Sequence, residues 1–82
     1  MKLFMDVHTI AGATADAVAG AHAEDLKVQH KHGVEFVKYW VDEKAGKIFC
    51  LIRAEDAESP VNAHREAHGL VPDAIYEVTE GE

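Results

Sequence analysis

Two stretches of the chain, residues 34–41 (Val34 to Val41) and 47–53 (Lys47 to Arg53), consist mostly of β-branched, aromatic and aliphatic residues. Such residues favour extended backbone. Only Asp42-Glu43-Lys44-Ala45-Gly46 separates them, and a short polar loop ending in glycine predicts a β-hairpin. Both strands are apolar on both faces. Phe36 and Trp40 alternate with Val37, Tyr39 and Val41, and Ile48, Cys50 and Ile52 alternate with Phe49 and Leu51. A pair of this kind needs cover on each side, and whatever else the chain folds into must supply it.

The flanking segments supply one layer. Residues 2–8 alternate, with Leu3, Met5 and Val7 opposite Phe4, Asp6 and His8, and predict a strand. Thr14 is an N-cap candidate, with Asp16 in the first turn, for a helix over residues 15–30 that Gly33 closes. Ser59-Pro60 predicts a second helix start, with Ser59 as cap; that helix runs to about His68, before Gly69. Residues 73–79 form a last strand. The order is β-α-β-β-α-β, the ferredoxin-like α+β sandwich: an antiparallel sheet with two helices on one face. Residues 1–82 form this single domain. Helices cover one sheet face only, so the second apolar face is expected to close on a second copy, giving a homodimer.

Charge narrows the function. Eight Lys+Arg against fifteen Asp+Glu give a net charge of −7. A nucleic-acid binder would carry a basic face, so no nucleic acid is expected as partner. Anionic membranes are excluded in the same way, and no apolar run approaches the roughly 20 residues of a membrane span. The opening Met1-Lys2-Leu3-Phe4-Met5-Asp6 places an acid too early for a secretory signal. Cys50 is the one cysteine, so no intrachain disulfide can form, and a reducing, cytoplasmic setting is expected.

Histidine is the unusual residue, with six among 82. At 100° per residue, His22 shares a stripe with Ala15, Val18, Ala19 and Leu26 on the first helix. On the second, His64 and His68 share the inward stripe with Ala57, Val61 and Ala67. The i, i+4 spacing of His64 and His68 brings two imidazoles within reach of one ion. The intervening Arg65-Glu66-Ala67 lacks the HExxH glutamate placement, so a zinc-protease reading fails. Three imidazoles in a small apolar layer are costly unless each finds a metal ion, a ligand or a carboxylate. The plainer alternative is that each is a satisfied core histidine. His8, on the face of Phe4 and Asp6, is expected to be an exposed strand end, the alternative being that it joins the inward histidines.

His30 and His32 lie at the end of the first helix, where a cation complements the dipole. With Glu35 or Asp25 they offer an alternative, exposed nitrogen-and-oxygen metal site, and imidazole suits nickel, copper and zinc. Cys50 reads as a small buried hydrophobe. No Gly-rich phosphate loop, CxxC pair or Ser-His-Asp ordering is present.

Tyr39-Trp40-Val41-Asp42-Glu43, then Phe49-Cys50-Leu51-Ile52-Arg53-Ala54, then His64-Arg65-Glu66-Ala67-His68-Gly69 resemble a bacterial family of small, stand-alone ferredoxin-like proteins described as nickel-binding or nickel-responsive. The resemblance covers nearly the whole chain. It implies a dimer that binds Ni²⁺ for sequestration or detoxification. His22, His64 and His68 fall in the matching portions; His30 and His32 lie outside them and stand on chemistry alone.

The first functional expectation is therefore a nickel-binding protein without turnover, its metal held by His64, His68, His22, His30 or His32 with carboxylates. An alternative is a small dimeric α/β-barrel-type enzyme, with His22 or His64 as general base in a cavity between helices and sheet. A third is an association module in which divalent ions neutralise the acidic surface and favour assembly.

Overall fold

A computed structural model describes residues 1–82. Six elements follow in chain order: β1 (Lys2–Thr9), α1 (Ala15–His32), β2 (Glu35–Asp42), β3 (Lys47–Ala54), α2 (Glu58–Ala67) and β4 (Ala74–Glu77). The strands form one sheet in the order β2-β3-β1-β4. Every neighbouring pair is antiparallel. Both helices pack on one face of it, against each other and against β2 and β3. This is the expected ferredoxin-like arrangement.

Local chemistry explains the boundaries. Thr14 has extended backbone, and its hydroxyl accepts a hydrogen bond from Ala17 N–H at 3.1 Å, capping α1. Gly33 ends that helix at φ +64°, a left-handed geometry that glycine adopts without Cβ strain. Gly46 closes the hairpin at φ +67°, and a Cβ there would meet Ile10 O at 2.9 Å, so the loop admits little else.

The second helix starts differently from the sequence expectation. It begins at Glu58, and the capping oxygen belongs to Asp56, whose Oδ1 accepts from Ser59 N–H at 2.8 Å and from Ser59 Oγ–H at 2.9 Å. A carboxylate three residues ahead satisfies the Ser59 amide, and the Ser59 hydroxyl donates to the same oxygen instead of accepting from an amide further along the helix.

Strand β2 also departs from strict alternation. A bulge between Phe36 and Lys38 lets Phe36 pair with Ile52 while Tyr39 pairs with Cys50 and Trp40 with Phe49. Phe36, expected to share a face with Trp40, thus joins Tyr39 and Val41 beneath the helices. The hairpin strands were expected to be the two central ones; instead β2 is an edge strand, and the two central strands are β3 and β1, because β1 pairs with both β3 and β4.

The core lies between helices and sheet. Phe4, Val18, Val34, Phe36, Ile48, Ile52, Ala54 and Ala63 are buried there. The opposite sheet face carries Leu3, Met5, Val7, Phe49 and Leu51 with the exposed Trp40 and Tyr76. No part of the fold covers it.

Candidate metal centre

Strand pairing places the first part of the site. Phe4, Asp6 and His8 alternate onto the helix-facing side of β1, and all three are buried. In the β1–β3 register Asp6 stands directly opposite Cys50, so a carboxylate and a thiol share that side. Cys50 is a buried free thiol, as expected. His8, expected to be exposed, is only 4% exposed, with the His64 ring of α2 packed edge-on against it.

The helices supply the rest. Asp25 on α1 is 3% exposed and His64 on α2 is 1% exposed. His64 donates from Nδ1 to Asp25 Oδ1 at 2.9 Å and from Nε2 to Asp6 Oδ2 at 2.8 Å. His68 Nε2–H also donates to Asp25 Oδ1 at 2.9 Å, while its Nδ1 accepts from Leu70 N–H at 3.1 Å. That pair of bonds fixes the neutral Nε2–H tautomer of His68. The rings of His64 and His68 lie 5.3 Å apart, and His8 stands edge-on to His64 at 4.9 Å.

Protonation follows from these partners. Burial alone would lower the His64 value, but hydrogen bonds to Asp25 and Asp6, with their charges, raise it to about 9. His64 is therefore an imidazolium at neutral pH. Burial would raise Asp6, yet contacts with His64 and His8 hold its carboxyl below the usual range. Burial, joined by the charge of His64, lowers His68 despite the pull of Asp25. The Cys50 thiol is pushed far up by burial and by Asp6, so without a metal it stays protonated.

One atom is left over. His8 Nε2 stands 3.2 Å from Asp6 Oδ1. The approach is not a hydrogen bond, and Asp6 Oδ1 is sealed from solvent without a partner. A buried, orphaned carboxylate oxygen calls for a cation or a proton.

Two donor groups emerge. Asp25, His64 and His68 offer ligand atoms on the outer side, and Asp6, His8, Cys50 and His64 on the inner side; within each group the atoms lie within 4.8 Å of one another. A cavity of about 100 Å³ opens beside both, walled by Ile10, Ala13, Val18 and Ile48 and reaching His8, Cys50 and His68.

Of the histidines singled out from sequence, His64 and His68 come together as their spacing implied. His22 is half-buried on the cavity wall, its ring 4.8 Å from that of Tyr39, and belongs to neither donor group. His30 is exposed, and His32 bonds Glu66 Oε1 at 2.9 Å, a carboxylate that Lys31 also holds at 2.8 Å. Neither Glu35 nor Asp25 joins that pair: Glu35 stands near Arg53, and Asp25 turns inward.

Asp25 and Asp6 were the residues sequence reasoning underweighted. Asp25 lies seven positions after the buried Val18 and so on its stripe, and Asp6 alternates with Phe4. A carboxylate on an apolar stripe was the available signal. A general base at His64 finds no free nitrogen, since both donate to carboxylates.

Comparison with known proteins accords with this architecture. The family model described as "Nickel responsive protein SCO4226-like" matches residues 4–78. The crystal structure of SCO4226 from Streptomyces coelicolor A3(2) is 37% identical, with a TM-score of 0.90, and the match covers 98% of this chain and 99% of that one. No curated protein matches. With fold and sequence similar along nearly the whole length, the chain belongs to the SCO4226-like family of nickel-responsive proteins.

Proposed function

We propose that this protein binds divalent nickel, for sequestration or detoxification, through Asp25, His64 and His68 at the junction of the two helices. One observation carries the reading: Asp25 Oδ1 stands 2.9 Å from both His64 Nδ1 and His68 Nε2. Two donors bound at about 2.1 Å and at right angles on one ion stand about 3.0 Å apart, so these atoms need little movement to share it.

Imidazole nitrogen with carboxylate oxygen suits nickel. Nickel bound there supplies a divalent charge that takes the place of the proton on His64 Nδ1. His64 Nε2–H keeps its bond to Asp6, the outer-shell carboxylate that orients a ligating imidazole. His68 would shift its proton from Nε2 to Nδ1, and the exposed Leu70 amide would turn to water. The cavity and the partly open His68 edge give water access to remaining positions on the ion. The net charge of −7 attracts cations.

The apolar sheet face supports a homodimer closed sheet to sheet, and a free buried Cys50 accords with a cytoplasmic setting. No helix is long and apolar enough to cross a membrane. General-base chemistry in the cavity has weaker support, because His64 is charged and His22 has no carboxylate partner.

Calorimetric titration with nickel tests the proposal. His68→Ala and Asp25→Asn should each weaken binding at least tenfold, while His30→Ala/His32→Ala leaves it unchanged. The reverse pattern would move the metal to the exposed end of α1.

A further inference from the structure

The inner donor group differs in chemistry from the outer one. Asp6, His8, Cys50 and His64 are all buried, and their ligand atoms lie within 4.8 Å of one another. They comprise one carboxylate, two imidazoles and one sulfur. We propose that they form a second, closed tetrahedral site for a thiophilic divalent ion of the zinc type.

Four independent features support it. In the β1–β3 register Asp6 faces Cys50 across neighbouring strands, so the thiol is aimed at the carboxylate by the backbone itself. Asp6 Oδ1 is fully buried with no hydrogen-bond partner, and a cation would satisfy it. The orienting carboxylate is already present: His64 Nδ1–H donates to Asp25 Oδ1, and His68 holds Asp25 in turn. The cavity touching His8, Cys50 and His64 provides a way in.

Distances suit the geometry. Donors on a tetrahedral zinc-type ion, with bonds of about 2.0–2.3 Å, stand about 3.3–3.8 Å apart. His8 Nε2 is 3.2 Å from Asp6 Oδ1, and His64 Nε2 is 2.8 Å from Asp6 Oδ2. The four ligand atoms lie within 4.8 Å of one another, so the widest pair has to close by no more than about 1–1.5 Å. Sulfur in the set favours a softer ion than the nitrogen-and-oxygen outer group does.

Charge balances as well. The divalent ion displaces one proton from the Cys50 thiol and one from the His64 imidazolium, and both leave to solvent. The buried charge of the group is unchanged, so filling the site adds no uncompensated charge to the core.

His64 is common to both sites. Nδ1 faces the outer group and Nε2 the inner one, each with a carboxylate ready to take the hydrogen bond of whichever nitrogen is free. One neutral ring ligates through one nitrogen at a time, so the two sites are mutually exclusive. Inner occupancy by a thiophilic ion would then exclude nickel from His64.

Cobalt(II) titration of the purified wild-type protein tests this. Since Cys50 is the one cysteine, any sulfur-to-cobalt charge-transfer band must come from it. The inner site predicts an intense near-ultraviolet band together with the strong visible absorption of tetrahedral cobalt, both abolished by one equivalent of zinc. They should be lost in Cys50→Ala and retained in His68→Ala. A weak octahedral spectrum without the sulfur band would overturn the proposal, whether or not Cys50→Ala folds. Nickel calorimetry separates it from the outer reading: Cys50→Ala should retain nickel affinity, and His68→Ala should lose it.

Discussion

His64 Nε2 lies 2.8 Å from Asp6 Oδ2, and both side chains are shut away from water, at 1% and 0% exposure. Asp25 holds the other nitrogen of the same ring at 2.9 Å. A charged imidazole between two buried carboxylates is the polar centre of an otherwise apolar layer, and its consequences can be measured without any metal.

The first concerns pH. His64 titrates near 9 in the folded chain against 6.5 in its ordinary state. Its contribution is complete below about pH 6.5 and fades as pH rises through 9; the shift corresponds to on the order of 3 kcal/mol. Asp6 is lowered from 3.8, so its contribution holds above that value and fades as pH falls. Urea denaturation in the presence of a chelator should show greatest stability between about pH 5 and 6.5 and decline on both sides. Stability that keeps rising from pH 7 to 9 would contradict the ion pairs.

Truncating the ring is the second. His64→Ala leaves Asp6 and Asp25 buried without their cation, a change that costs about 3–5 kcal/mol. In a chain of this size the melting temperature should drop by more than about 10 °C. His30→Ala, at an exposed position, should change stability by less than about 0.5 kcal/mol. Equal melting temperatures for the two variants would contradict the buried centre.

The third concerns the open sheet face. Met5, Phe49, Trp40 and Tyr76 lie on it, with Trp40 46% and Tyr76 57% exposed. Sedimentation velocity at micromolar concentration should give a dimer. Met5→Lys/Trp40→Lys should give a folded monomer, because two charges then enter a closed apolar seam. A wild-type monomer would refute sheet-to-sheet pairing.

The fold was legible because its signals are local and mutually consistent. Alternation in β1, the Thr14 cap, Gly33 and the hairpin loop each mark one boundary. Phe36 was misplaced because a bulge resets alternation without any sign in composition. Ser59 does not cap because the helix starts one residue earlier and the Ser59 amide and hydroxyl both donate to Asp56 Oδ1. His64 and His68 were visible from helical spacing. His8 was visible only as an alternative, from its place on the face of Phe4 and Asp6, and the convergence with Asp6 and Cys50 was not visible, since it depends on the β1–β3 register and on how α1 and α2 cross the sheet. The exposed His30 and the half-buried His32 drew attention through histidine density alone, which does not distinguish a helix-dipole partner from a ligand.

Diffraction at the nickel absorption edge, from crystals soaked in nickel, tests the central claim most directly. An anomalous peak about 2.1 Å from Asp25 carboxylate oxygen, His64 Nδ1 and His68 Nε2 is the predicted result. Peaks confined to other surfaces, with the His64–Asp25 hydrogen bond intact beneath them, would contradict it.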